Sequence, residues 1–213
     1  IGVCMTSCPP SVVPTYGAEP RLGTNPIAVA VPSGGSHPFV LDISTSVVPV
    51  NRLRQEQRFN SLVPGGWIAD GDGTPIMEPG MLPEQYSILP LGSISQQGSH
   101  KGYGLGCVVE ILCGVLSGGG YAMMLERGQA QHMVTAYNIE SFVPVDEFKK
   151  MMNEWMDMLN ATPPALGHDR VLVPGQLEFE SEQENTEKGL PLPSEVVSWL
   201  RDISLQMNVP YLL

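Results

Sequence analysis

Two short apolar runs near the start of the chain predict buried strands. One runs from Pro26 to Pro32 (PIAVAVP) and the other from Phe39 to Thr45 (FVLDIST), with the turn-forming residues Ser33 to Ser36 between them. Aliphatic and β-branched residues bounded by Gly, Pro and Ser are typical of strands. The opening residues, Ile-Gly-Val-Cys, have the same character. The N-terminal part of the chain is therefore predicted to be rich in β-structure.

Three segments farther along have patterns that favour exposed or half-buried helices. Val47 to Phe59 is polar and rich in Arg and Gln, and Pro49 suits only the first turn of a helix there. Val145 to Asn160 and Ser194 to Met207 are amphipathic at helical spacing. Ser194 is predicted to be the N-cap of the last helix because its hydroxyl can accept a backbone hydrogen bond.

A fourth segment, Gly102 to Leu116, is apolar at most positions and contains no proline, which predicts a helix buried nearly all round. Val171 to Glu180 is predicted to be a strand. These patterns divide the chain into residues 1–143, with a central sheet, and residues 144–213, a C-terminal segment of helices and a strand that packs on the first part.

Composition excludes several classes of function. The 213 residues carry a formal net charge of -11, which argues against a nucleic-acid partner because phosphate binding needs a basic surface. No apolar run approaches the roughly 20 residues that span a bilayer, so no membrane segment is expected. The four cysteines form no CxxC pair and lie at no zinc-finger spacing, so neither a metal site nor a disulfide framework is predicted. A reducing, cytoplasmic location is expected.

Two groups of residues have chemistry that stands out from their surroundings. His100 precedes Lys101 and a Gly-rich turn, and a cation beside backbone donors suits an anionic ligand, so His100 is a candidate acid or base. Asp42 interrupts an apolar strand, where a charge must be satisfied or it lowers stability. Its carboxylate could accept a hydrogen bond from a ribose hydroxyl or backbone, or could cap a turn at the strand end.

The motifs, taken in order, resemble the type 2 malate/L-lactate dehydrogenase family over residues 1 to about 208. The segments that match are Gly17-Ala-Glu-Pro-Arg-Leu-Gly-Thr-Asn-Pro-Ile-Ala, Phe39-Val-Leu-Asp-Ile-Ser-Thr-Ser, Gly65-Gly-Trp, Asp70 to Pro75, Glu78-Pro79, Leu91-Gly92, His100-Lys-Gly-Tyr-Gly-Leu, Glu110-Ile-Leu with Gly114-Val-Leu-Ser-Gly, and Pro174-Gly175.

The resemblance implies an α/β fold with a non-Rossmann, predominantly antiparallel cofactor-binding sheet and flanking helices. It implies a homodimeric NAD- or NADP-dependent oxidoreductase that transfers a hydride to or from a small 2-hydroxy or 2-oxo acid similar to malate or lactate. The residues assigned to the substrate are Thr24 and Arg52. Those assigned to the cofactor are Cys8, Asp42, Ile43, Ser44, Gly92, Ser93, Lys101, Gly175 and Gln176.

The chain also departs from the family pattern. Cys8 replaces a hydroxyl or amide residue, and Ser93 replaces the second glycine of a Gly-Gly pair. The family's catalytic histidine belongs to an N-terminal helical segment with no counterpart here, which leaves His100 as the candidate base within the chain. Two hypotheses follow: a partial dehydrogenase chain, or a truncated, inactive homologue with a structural or interaction role.

Overall fold

A four-stranded antiparallel sheet is the central element of the computed structural model, which describes residues 1–126 and 128–212. Its strands are β1 (Gly2–Ser7), β2 (Ile27–Val31), β3 (Phe39–Ile43) and β6 (Gln131–Ala136), in the spatial order β3-β2-β1-β6. A separate two-stranded antiparallel pair joins β4 (Ile68–Ala69) to β5 (Ser87–Ile88). The predicted strands at the start of the chain form, and the antiparallel, non-Rossmann fold class is confirmed. The prediction that β2 and β3 are buried is wrong, since their residues are only half-buried or exposed.

Five α-helices accompany these sheets in the described ranges of the sequence. They are α1 (Val50–Arg58), α2 (Ser99–Val109), α3 (Val145–Asn160), α4 (Gln176–Lys188) and α5 (Ser194–Met207). After α2 the chain continues without a break as a π-helix, Glu110–Val115, which contacts β1 and β6. Short 3₁₀ turns occupy Ser95–Gln97, Ala122–Met124 and Ile139–Ser141. The predicted helices that became α1, α3 and α5 are confirmed.

Three further local predictions are wrong. Val171 to Glu180 is not a strand: residues 171–175 have no regular structure and Gln176 begins α4. The helix predicted over Gly102 to Leu116 forms, but it is not buried all round, since Leu105 and Ile111 are 41% and 53% exposed. The residue at the N-cap position of α5 is Pro193 rather than Ser194, and no side chain caps that helix.

The main hydrophobic core joins α1 and β4 to the loops around them. Leu53 is fully buried, and it clusters with Val12, Leu22, Val48, Val63, Ile68 and Ile88. On a separate surface, α3 covers the β2–β3 hairpin, where Trp155 lies 5.9 Å from Phe39 between ring centroids and Asn153 accepts a hydrogen bond from the backbone N–H of Gly34.

Contacts between Cα atoms divide the chain into two compact units, Ile1–Gly175 and Gln176–Leu213. The first contains both sheets and α1 to α3, and the second contains α4 and α5. The division at residues 143 and 144, and the missing N-terminal helical segment, stay predictions.

Candidate functional site

One end of the four-stranded sheet gathers segments that are distant in sequence. Because neighbouring strands are antiparallel, the end of β1, the start of β2 and the end of β3 meet there, as the pairs Met5 with Ile27 and Ile27 with Ile43 show. Cys8 follows β1, Thr24 precedes β2 and Ser44 follows β3. The structure thus brings together three of the predicted site residues.

Backbone hydrogen bonds hold these segments in register beyond the strands. The N–H of Thr45 donates to the carbonyl oxygen of Thr24 at 2.9 Å, and the hydroxyl of Thr45 donates to the same oxygen at 3.2 Å. The N–H of Leu91 in turn donates to the carbonyl oxygen of Thr45 at 2.9 Å. This chain of contacts carries the site from the sheet to the Gly92-Ser93 turn.

Cys8 and Thr24 form the centre of this site. The thiol of Cys8 hydrogen-bonds with the Thr24 side chain, and the backbone of Asn25 also contacts the thiol. Burial raises the pKa of the Cys8 thiol above its usual value, and the nearby Glu110 carboxylate raises it further, against the lowering effect of the two hydrogen bonds. Since the unperturbed thiol pKa already exceeds 7, Cys8 is a neutral thiol at neutral pH and not an activated nucleophile.

A buried polar network lies directly behind Cys8 and Thr24. The Glu110 carboxylate, 6% exposed, accepts hydrogen bonds from the Ser7 hydroxyl at 2.8 Å, the Asn25 side-chain amide at 2.7 Å and the Ala122 N–H at 2.9 Å. The carbonyl of the Asn25 side chain accepts from the N–H of Cys8 at 3.1 Å. Glu110 therefore connects the residues that immediately precede Cys8 and follow Thr24.

The predicted Gly92-Ser93 pair forms a tight turn beside this site. Both residues have positive φ, +92° and +57°, and the Ser93 N–H donates to the carbonyl oxygen of Pro90 at 2.8 Å. A serine is unusual in the left-handed region. Here the hydroxyl of Ser93 donates to the carbonyl oxygen of Gly66 at 2.7 Å, a contact that a second glycine would not make.

Lys101 lies next to the same turn. Gly92 packs against Gly98, since a Cβ built on Gly92 would lie 2.7 Å from the carbonyl carbon of Gly98. Gly98 in turn lies near Lys101, since a Cβ built on Gly98 would lie 3.7 Å from the Lys101 ammonium nitrogen. Lys101 is exposed and makes no ion pair with a described residue. An unpaired cation therefore lies beside the turn.

The other predicted residues have separate surroundings. Asp42 and Ile43 are exposed at the end of β3, and the Asp42 carboxylate accepts no hydrogen bond from a described residue, so the alternative that it caps a turn is not seen. Arg52 lies on α1, where its guanidinium pairs with Glu56 at 2.8 Å. His100 is exposed in the first turn of α2.

The predicted pair Gly175 and Gln176 lies at the division between the two compact units. A Cβ on Gly175 would lie 3.0 Å from the Cβ and the backbone nitrogen of Val40, so the Pro174-Gly175 turn approaches β3 closely. Gln176 begins α4, and its side-chain amide donates to the Glu180 carboxylate at 3.0 Å. Their assignment to a cofactor stays a prediction.

Sequence reasoning missed Glu110, Ser7 and Asn25 as parts of the site. A signal was present, because Glu110 interrupts the apolar run Val108-Val109-Glu110-Ile111-Leu112 as Asp42 interrupts its strand. Of the two carboxylates, Asp42 on the strand is exposed and Glu110 on the helix is buried.

Within the described residues no helix is long and apolar enough to cross a membrane, and no group of three or more His, Cys, Asp or Glu side chains is arranged to bind a metal.

Known structures share this architecture. The malate dehydrogenase of Entamoeba histolytica superposes with a TM-score of 0.91 at 33% sequence identity. The match covers 100% of this chain and 63% of the Entamoeba chain. The malate dehydrogenase of Pyrococcus horikoshii OT3 gives a TM-score of 0.82 at 32% sequence identity. The match covers 99% of this chain and 59% of the Pyrococcus chain. The fold and site define a chain with the antiparallel sheet of these two malate dehydrogenases in place of a Rossmann domain.

Sequence relatives identify the family. The malate dehydrogenase of Pyrococcus abyssi is 35% identical over an alignment of 215 residues that covers 98% of this chain and 59% of that protein. The L-sulfolactate dehydrogenase of Methanocaldococcus jannaschii is 30% identical over 98% of this chain and 60% of that protein. The malate/L-lactate dehydrogenase family model matches residues 1–201. The chain belongs to this family, and it spans about three-fifths of the length of these relatives.

Proposed function

We propose that this chain forms the nicotinamide-dinucleotide site and part of the substrate site of a dehydrogenase. The complete protein would transfer a hydride between NAD or NADP and a small 2-hydroxy or 2-oxo acid similar to malate or lactate. The observation that carries the proposal is the convergence of Cys8, Thr24 and Ser44 at one end of the sheet in a chain of this family.

The side chains at this end of the sheet suit such a cofactor. A dinucleotide presents ribose hydroxyls as donors and a pyrophosphate as an anion. The exposed Asp42 carboxylate can accept from a ribose hydroxyl, and the unpaired Lys101 ammonium can approach the pyrophosphate. Cys8 and Ser44 supply a neutral thiol and a hydroxyl beside them. The nicotinamide ring, when bound, supplies the hydride chemistry.

The substrate would lie next to Thr24. Its hydroxyl would donate to the carboxylate of the acid, and hydride transfer requires that carboxylate to be held in one orientation relative to the cofactor. Arg52 would have to leave Glu56 to add a second contact, because its guanidinium is paired on α1. The assignment of His100 as the base stays a prediction.

Separate titrations of NADH and NADPH into the purified chain test the proposal. Nicotinamide fluorescence should show micromolar binding of one of them. Asp42→Asn should weaken that binding about 10-fold, because a hydrogen bond to a charged group is replaced by a neutral one. The matched control, Asp146→Asn, changes an exposed carboxylate in the first turn of α3 and should leave binding unchanged. If the wild-type chain binds neither nucleotide, the proposal fails for this chain.

We also propose that the protein is a homodimer in the cytoplasm. All four cysteines are free thiols, which suits a reducing compartment. The support for a dimer is one face of α2 and its π-helical continuation, where apolar side chains are between 41% and 55% exposed: Leu105, Val108, Ile111 and Val115. A contiguous exposed apolar row is characteristic of an interface.

Ile111→Lys should convert the dimer into a monomer, because a lysine ammonium buried against a second apolar face would lack a partner. Sedimentation velocity on the wild type and the variant measures the mass in solution. Leu62→Lys is the control, since Leu62 is 60% exposed and lies outside this row. A wild type that sediments as a monomer, or an Ile111→Lys variant that stays dimeric, would refute this interface.

A further inference from the structure

Glu110 is the one charged side chain in the buried set of the residues that the structure describes. Both of its oxygens are used: one accepts from the Asn25 amide, and the other accepts from the Ser7 hydroxyl and the Ala122 N–H. A buried carboxylate is costly unless every lone pair that faces the protein has a donor. Here three donors from three separate segments supply that compensation.

The two side chains that bind Glu110 lie next to the proposed ligand contacts. Ser7 is the last residue of β1 and is bonded covalently to Cys8. Asn25 follows Thr24, has φ of +39° and is fully buried. Its side-chain carbonyl accepts from the Cys8 N–H, so its amide connects the backbone of Cys8 to Glu110. A displacement of Ser7 or Asn25 therefore also displaces Cys8 or Thr24.

We propose that Glu110 is a positioning residue that fixes Cys8 and Thr24 relative to each other through Asn25 and Ser7. The inference rests on the proposed function for its consequence on ligand binding, but the positioning itself is a property of this chain. Glu110 lies behind the site and touches neither cofactor nor substrate in this scheme. Its carboxylate sets the amide orientation of Asn25, which in turn holds the N–H of Cys8.

The donor pattern makes Glu110→Gln a sharp test. In either orientation of the new amide, its NH₂ group faces a donor: the Asn25 amide on one side or the Ala122 N–H on the other. If the Asn25 amide rotates to relieve that conflict, its NH₂ turns toward the Cys8 N–H and the hydrogen bond at 3.1 Å is lost. The substitution keeps the side-chain volume, so the change is confined to hydrogen bonding and charge.

The reciprocal swap should rescue the defect. In Glu110→Gln combined with Asn25→Asp, the glutamine amide can donate to the introduced aspartate while its carbonyl accepts from Ser7 and Ala122. The other oxygen of the aspartate still accepts from the N–H of Cys8. The swap replaces the 3.2 Å hydrogen bond from the Asn25 amide to the carbonyl oxygen of Gly106 with an approach of two acceptor oxygens, so the rescue should be partial. A double-mutant cycle therefore separates positioning from general loss of packing.

Two measurements are made on the wild type, Glu110→Gln, the swap, and Ile68→Val as a stability control in the hydrophobic core. The first is the rate of Cys8 alkylation by iodoacetamide across a range of pH, followed by peptide mass spectrometry, because the plateau rate at high pH is independent of the effect of the Glu110 charge on the pKa of the Cys8 thiol. The second is the dissociation constant for NADH and NADPH. Glu110→Gln should raise the plateau rate of alkylation several-fold and weaken nucleotide binding about 10-fold, and the swap should return both toward wild type. Ile68→Val should change neither.

The outcomes separate the two proposals. If the wild type binds neither nucleotide, the proposed function fails, and Cys8 alkylation alone then decides the positioning role. An unchanged plateau rate of alkylation in Glu110→Gln overturns the role of Glu110 whatever the binding result. A folded swap variant that keeps the full defect of Glu110→Gln also overturns it, because the hydrogen-bond pattern would then not be what matters.

Discussion

Gly102→Ala is expected to lower the melting temperature by about 6–12 °C. The Cβ of an alanine at position 102 would lie 2.4 Å from both the nitrogen and the oxygen of Leu91, which are backbone atoms that cannot move aside singly. Helix α2 or the turn that carries Gly92 must shift. Overpacking of this kind costs about 3 kcal/mol, and each kcal/mol lowers the melting temperature by about 2–4 °C in a chain of this size.

Gly104→Ala on the same helix is the control. A Cβ at position 104 meets no atom within 4 Å, and the residue is exposed in the interior of α2. Alanine there should raise stability by about 0.5–1 kcal/mol, because glycine loses more backbone entropy in a helix. Thermal unfolding followed by circular dichroism should give shifts of opposite sign. Equal shifts would mean that the close approach of α2 to Leu91 does not hold in solution.

Gly23→Ala is expected to weaken ligand binding by about 10²-fold as well as lower stability. Its Cβ would lie 2.5 Å from the Cys8 oxygen, 2.6 Å from the Asn25 side-chain oxygen and 2.7 Å from the Cys8 Cβ. The alanine therefore intrudes between the two segments that Glu110 holds together. A displacement of about 1 Å at such a site can reduce function by about 10²-fold.

Nucleotide titration at a temperature where the Gly23→Ala variant is folded measures this effect. Gly80→Ala is the matched control, since a Cβ at position 80 meets nothing within 4 Å and Gly80 pairs with Val63 rather than with a segment of the site. The control should bind as the wild type does. Wild-type affinity in Gly23→Ala would show that Cys8 and Thr24 do not form the ligand site.

Secondary structure was predictable wherever the local pattern had one meaning. The β2 and β3 runs are aliphatic and bounded by turn residues, and α3 repeats apolar residues at helical spacing, so each formed as expected. The failure at Val171 to Glu180 has a local cause. Leu177 and Phe179 alternate with Glu178 and Glu180 as in a strand. From Gln176 onward the chain nevertheless forms α4, in agreement with the high helix propensity of the Gln, Glu, Leu and Lys residues of that helix.

Burial was less predictable than helix formation. The density of apolar residues from Gly102 to Leu116 correctly indicated a helix, but not which of its faces would meet the rest of the chain. Gly102 and Gly106 are buried because Leu91 and Thr45 lie against them. Leu105 and Ile111, on another face, remain exposed. Hydropathy ranks residues by their preference for burial, and neighbours from distant segments decide which of them obtain it.

The sequence by itself determined the family, the antiparallel class of fold and a charged residue within each of two apolar runs. The tertiary structure decided that Asp42 faces solvent and that Glu110 is buried with three donors. Two of those donors, Ser7 and Asn25, precede Glu110 by 103 and 85 residues. A carboxylate in an apolar run is tolerated either by water or by donors, and only the folded chain shows which of the two it meets.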